Sequence, residues 1–181
     1  GKSLRRDEIE ALSDASSRIY DAPLHIDDST SLSIFEMQTR ARRLKGQCPE
    51  LSLLIIDYMQ LMRGGGSRYD SRQQEVSEIS RSIKGIAGEL NIPVIALSQL
   101  SRQVEQRRGK NEKLPRLSDL RESGAIEQDA DIVAFIHREQ TPERNAGGQH
   151  EQVEEAILSI AKQRNGETGI INLLFRGHIT L

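Results

Sequence analysis

Four nearly continuous apolar stretches of strand length, residues 51–56, 93–97, 132–136 and 153–161, constrain this chain more than any other feature. Runs without regular polar alternation read as strands that need cover on both faces. Between the first two, Gly64-Gly65-Gly66 breaks the chain. Val76, Ile79, Ile83, Ile86 and Leu90 then mark one face of a long helix beginning near Asp70. Strand, helix, strand at this spacing predicts an α/β fold. It should have a parallel sheet with right-handed crossovers, helices on both faces, and a terminal β-hairpin over residues 169–181.

The first half reads as helices. From Ser3 onward Ile9, Leu12 and Ile19 recur at helical spacing, with Asp7 and Glu8 in the first turn and Pro23 as the stop. Leu24-His25-Ile26 is a short strand candidate. Ser33 with Glu36 three residues on predicts a capping box, followed by the apolar series Ile34, Met37, Ala41 and Leu44. Arg40, Arg42, Arg43 and Lys45 fall late, where cations suit a helix dipole, and Gly46 should end the helix. No internal repeat or low-complexity tract is visible.

Composition narrows the function classes. Aromatics are 3% of 181 residues and Trp is absent, so the core must be aliphatic and base-stacking platforms are disfavoured. Net charge is −2, so a polyanion would have to meet a local basic patch. The single cysteine, Cys48, excludes an internal disulfide and a thiolate zinc cluster. No apolar run approaches the roughly 20 residues of a membrane span, and the N-terminus carries no signal-peptide core. A soluble, cytoplasmic setting with no membrane partner is the expectation.

In a parallel sheet, ligands sit beyond the carboxyl ends of the strands, so the polar residues closing each run are the candidates. Asp57 closes the first run; a carboxylate there holds Mg²⁺ in phosphate-transfer ATPases, or equally caps the next turn. Ser98-Gln99 closes the second; the amide can bond both a phosphate oxygen and water, or simply serve loop backbone. Lys162-Gln163-Arg164 closes the fourth, before Asn165-Gly166. These cations can neutralise charge on a transferring phosphoryl group, or form a solvated basic turn. One chemistry would use all three. The phosphate cradle G-x-x-x-x-G-K-[ST] is nowhere in the chain; Gly1-Lys2-Ser3 imitates only its last letters. The four histidines show no metal spacing.

Residues 101–116 form a basic loop, with six cations (Arg102, Arg107, Arg108, Lys110, Lys113, Arg116) against Glu105 and Glu112, leaving +4. It could track a phosphate backbone or be a solvated loop. Beyond it, Arg121 can pair with a phosphate, and Gly124 lets backbone N–H groups approach one. Gly64-Gly65-Gly66, with Ser67 and Arg68, offers a second flexible contact loop.

Leu54-Ile55-Ile56-Asp57-Tyr58-Met59-Gln60-Leu61 resembles the Walker B motif of the bacterial replicative DNA helicases, the DnaB family. The segments 72–81, 93–102, 118–133 and 161–166 resemble the same family, in the family's order. The resemblance implies a RecA-like ATPase core in a homo-hexameric ring that uses ATP and Mg²⁺ to move along single-stranded DNA and separate the duplex. By matching position Asp57 would hold Mg²⁺, and Gln99 would link the γ-phosphate to the DNA-binding loops. Lys162 and Arg164 would reach the neighbouring subunit's ATP site, Arg164 as the finger. Arg121, Glu122 and Gly124 would contact the DNA backbone. Primase and a helicase loader are the implied partners.

The family's P-loop, catalytic Glu and N-terminal domain have no counterpart in residues 1–181. The expectation is therefore one domain, the C-terminal portion of a helicase motor, inactive by itself. The alternatives are a non-enzymatic DNA-binding or interaction fragment, or another RecA-type ATPase.

Overall fold

The computed structural model describes residues 4–66, 69–101, 104, 107, 114–120, 124–138 and 153–176. They fall into two compact units, one up to Thr30 and one from Ser31. In the first, helix α1 (Arg6–Asp21) starts where Glu8 Oε2 accepts from the Arg5 N–H at 2.7 Å, and it ends before Pro23 as expected. Its apolar stripe of Ile9, Leu12 and Ile19 is exposed. The strand expected at Leu24-His25-Ile26 does not form. Its apolar side chains are exposed, and no described strand offers it a ladder.

In the second unit, helix α2 (Ile34–Gln47) opens with the expected box: Glu36 Oε2 accepts from the Ser33 N–H at 2.9 Å, and Ser33 Oγ accepts from the Glu36 N–H at 3.3 Å. Ile34, Met37 and Ala41 are buried. The helix runs one residue past Gly46, closed by the Cys48 N–H on Leu44 O at 2.7 Å. Part of its basic cluster is structural. Arg42 grips Glu89 at 2.6 and 2.8 Å, and Lys45 Nζ donates to Pro49 O and Leu51 O at 2.6 and 2.7 Å.

Strands β1 (Leu54–Ile56) and β2 (Val94–Ala96) pair in parallel, Leu54 opposite Val94 and Ile56 opposite Ala96. The crossover is helix α3 (Arg72–Leu90), which buries Val76, Ile79, Ile83 and Ile86. Asn91 ends it at φ 52°, a left-handed conformation that Asn tolerates better than most residues. Ile56 faces the core, whereas Ile55 and Ile95 are 58% and 49% exposed. Among the described residues these two strands are covered on one face, not two.

Helix α4 (Gly124–Asp129) packs on α3, where Ser80 Oγ donates to Asp129 Oδ2 at 2.7 Å. Strands β3 (Ile132–Arg138), β4 (Val153–Gln163) and β5 (Gly169–Arg176) form a second sheet in that order, antiparallel throughout. The terminal hairpin is thus β4–β5. The parallel pairing expected of the third and fourth runs is corrected. Residues 139–152 join them, and their polar sequence holds no apolar helical stripe to cover a parallel crossover. Val133 and Phe135 carry this sheet into the core that Ile34, Ile79, Ile86 and Ile126 share.

Candidate functional site

Parallel pairing puts the carboxyl ends of β1 and β2 side by side. The Leu97 N–H donates to Ile56 O at 2.9 Å, and the Met59 N–H donates to Leu97 O at 3.0 Å. Asp57 therefore follows one strand directly where Ser98-Gln99 follows the other, and both Asp57 and Gln99 are exposed. The 3₁₀ turn Met59–Leu61 has Tyr58 at its N-cap and takes no side-chain cap bond from it. A lone exposed carboxylate suits Mg²⁺, which keeps waters and accepts phosphate oxygens. It does not suit a metal held by protein alone: among the described residues no three His, Cys, Asp or Glu side chains converge on one point.

Gln60 joins the two strand ends. Its Nε2 donates to Ser98 Oγ at 2.8 Å and lies 3.4 Å from Gln99 O, and its Oε1 accepts the Gln99 N–H at 3.2 Å. Arg72, at the start of α3, donates to Gln60 O at 2.7 Å. Sequence reasoning did not find Gln60. Its partners lie about forty residues away, and the only signal was an amide just past the Asp of a strand-closing motif.

Lys162 and Arg164 sit elsewhere. Because β4 runs antiparallel to β3, its carboxyl end lies beside the start of β3, with Gln163 opposite Ile132. Lys162 Nζ donates to Glu127 O, to Ala130 O at 2.8 Å and to Gln128 O at 3.3 Å, a cation on the carbonyl end of α4. Arg164 bonds Asp131 twice, N–H to Asp131 O at 2.8 Å and NH1 to Asp131 Oδ1 at 3.1 Å. Lys84 of α3 pairs with the same carboxylate. The Lys84 hydrogen bond holds the Asp131 carboxyl below its ordinary range against partial desolvation, helped by the charges of Arg164 and Lys162.

Helix α3 measures the gap: Arg72 touches the strand-end rim, and Lys84, twelve residues on, lies about 18 Å further along the axis. The expectation that all three polar strand ends share one rim is therefore corrected. Within one chain the rim holds Asp57 and Ser98-Gln99, and the basic pair lies apart.

Arg121 and Glu122 lie outside the described residues, as do Gly1-Lys2-Ser3, Ser67, Arg68, Arg102, Arg108, Lys110 and Lys113. Gly124 opens α4, exposed, and a Cβ there would meet nothing within 4 Å among the described residues. The approach to Arg121 is well defined. Leu100 and Leu120 form an antiparallel bridge, and the Ser101 N–H donates to Asp119 O at 3.0 Å. Gln99 and Arg121 each lie one residue from that bridge. Asp119 is buried, and its carboxylate accepts from both terminal nitrogens of Arg107 and from the Arg116 N–H at 2.7 Å. One cation of the basic loop, Arg107, is thus structural.

The glycine run is packed as well as turned. A Cβ at Gly64 would lie 2.2 Å from the Tyr69 hydroxyl, and one at Gly65 2.0 Å from the Phe35 ring. The Gly64 N–H donates to Glu75 Oε1 at 2.8 Å, and the Tyr69 hydroxyl bridges the Gly66 N–H to Glu78. Burial and the Glu78 bond push the Tyr69 hydroxyl's pKa up. Burial acts to raise Glu75 too, but the Gly64 N–H and Arg72 together bring it below its ordinary value.

The model of the DnaB-like helicase C-terminal domain family matches residues 1–181. The chain is 53% identical to the replicative DNA helicase DnaB of Leifsonia xyli subsp. xyli over 160 residues, 88% of this chain and 33% of that protein. It is 50% identical to replicative DNA helicase DnaB of Geobacillus stearothermophilus over 157 residues, again 33% of that protein. Among solved structures, a DnaB-like replicative helicase described with its primase interactions superposes with TM-score 0.83 at 37% identity. That match covers 97% of this chain and 41% of that one. A second solved structure, described as an ATPase domain, superposes with TM-score 0.81 at 37% identity, covering 94% of this chain and 57% of that one. The α/β, RecA-like architecture is common to these structures and this chain. The chain spans about a third of the length of these curated relatives.

Proposed function

This chain belongs to the DnaB-like helicase C-terminal domain family, and from that membership we propose that it forms part of a hexameric replicative helicase motor. The motor couples ATP hydrolysis to travel along single-stranded DNA and to duplex unwinding. Nucleotide use comes with the family; ATP with Mg²⁺ is the specific assignment. The observation that carries it is the placement of Asp57 and Gln99 on neighbouring strand ends, with Gln99 one residue from the Leu100–Leu120 bridge.

Asp57 takes the metal of Mg-ATP, through a water or directly. Mg²⁺ supplies charge neutralisation on the phosphates. The Gln99 amide bonds the γ-phosphate, and its loss on hydrolysis shifts the Leu100–Leu120 bridge and with it Arg121, Glu122 and Gly124 on the DNA backbone. Arg164, with Lys162, serves the next subunit's nucleotide, exchanging Asp131 for phosphate oxygen, as the distance between the basic pair and its own rim favours. A seam that completes a site in this way makes a ring of head-to-tail contacts the natural assembly. Primase and a loader are partners by family, and the setting is cytoplasmic.

In the intact helicase Asp57→Ala should abolish Mg-ATP hydrolysis while rings still assemble. Near-normal turnover would overturn the assignment.

A further inference from the structure

We infer that Gln60 is a positioning residue of the nucleotide rim, whose side-chain amide locks the backbone from which Gln99 projects beside Asp57. The inference rests on the reading of that rim as the ATP site.

The β1–β2 ladder stops at Ile56 and Ala96, with two further bonds, from the Leu97 N–H to Ile56 O and from the Met59 N–H to Leu97 O. Ser98, half-buried, and Gln99, exposed, thus leave the sheet with no strand partner among the described residues. Gln60 takes the partner's place. Its Oε1 accepts the Gln99 N–H, as a backbone carbonyl would, and its Nε2 donates to Ser98 Oγ and towards Gln99 O. The amide's orientation is dictated by chemistry, because the Gln99 N–H can only donate.

Gln60 is itself held at both ends of its short turn. Met59 is buried in the core, and the Arg72 guanidinium bonds Gln60 O while also pairing with Glu75. A side chain that must accept at one atom and donate from the other has one best identity at this length. Glu lacks the donor, Asn is a methylene short, and Leu lacks both functions. Displacing a catalytic group by about 1 Å can cost on the order of a hundredfold in rate, so a free Ser98-Gln99 backbone would weaken the γ-phosphate contact without removing it.

The test is ATP turnover of the intact helicase on single-stranded DNA, for Gln60→Leu, Gln99→Ala and the double variant. Gln60→Leu should lower kcat about tenfold or more and leave KM for ATP within about twofold. The double variant should be no slower than Gln99→Ala alone by more than about twofold, since Gln60 acts through Gln99. Multiplying losses would overturn the inference, as would full turnover by Gln60→Leu beside a slow Gln99→Ala. Normal turnover by Gln99→Ala would instead sink the rim reading beneath it. Should Gln60→Leu rings not assemble, the same comparison is read on Gln60→Glu, which keeps the acceptor for the Gln99 N–H and should lose less kcat. A lowered kcat in Gln60→Glu that multiplies with the Gln99→Ala loss in the double variant would also overturn the inference.

Discussion

Replacing Asp119 by alanine should loosen the link between the end of β2 and residues 117–120, which meet at the Leu100–Leu120 bridge. The Asp119 side chain is 4% exposed and that of Arg107 26%. Truncation strands a largely buried guanidinium and frees the Arg116 N–H that Asp119 had satisfied. Removing one partner of a buried pair costs about 3–5 kcal/mol. Arg107 can turn partly to water, so the low end applies, about 3 kcal/mol, or roughly a hundredfold in a local opening equilibrium.

Amide hydrogen exchange in the intact protein reads this directly. The Ser101 N–H, bonded to Asp119 O, should exchange about a hundredfold faster in Asp119→Ala. Asp119→Asn keeps an acceptor for Arg116 and should cost only about 1 kcal/mol. The pair Arg107→Met with Asp119→Leu removes both charges and should restore most of the protection, because an apolar replacement leaves nothing unpaired. Exchange at Ser101 within about threefold of wild type in Asp119→Ala would show that the Asp119 carboxylate does not hold this segment closed.

Other outcomes follow from the same structure. Ile79→Ala, at a fully buried position on α3, should destabilise the second unit by about 2–5 kcal/mol in denaturant unfolding. The Asp131 carboxyl is held low by Lys84, so its contribution is complete above the ordinary aspartate range. It is lost as pH falls through the lowered value, below roughly pH 4. Lys84→Met should flatten that acid limb when local opening near Arg164 is followed by exchange, and an unchanged limb would contradict the assignment. The 181-residue chain alone contains no phosphate cradle and should show no tight ATP binding by calorimetry; micromolar affinity would mean that the phosphates are held some other way.

Local chemistry was the legible part of this fold. Ser33 and Glu36 announced a helix start, the stripe from Val76 to Ile86 announced a buried helix face, and both form as read. The Asp57–Gln99 pairing was legible too, because strands joined by a helical crossover run parallel and bring their carboxyl ends together. Strand direction without such a crossover was not. The apolar run at 153–161 reads the same either way, so the separation of Lys162 and Arg164 from Asp57 within one chain could not be read from it. Gly64 and Gly65 suggested flexibility, yet Tyr69 and Phe35 pack closely over them, so any side chain there would have to displace those rings. Composition could not separate Arg107, committed to Asp119, from the rest of its basic loop. Gln60 carries no spacing signal at all, since its role depends on a strand exit about forty residues away.

The proposed nucleotide site is shared between chains, with Asp57 from one and Arg164 from the next. Mixing Asp57→Ala and Arg164→Ala subunits of the intact helicase in equal amounts tests this most directly. Each variant alone should be inactive, whereas random mixed rings should recover about a quarter of wild-type turnover, the share of seams at which both residues are intact. Mixed rings no more active than either variant alone would contradict a site built across the seam.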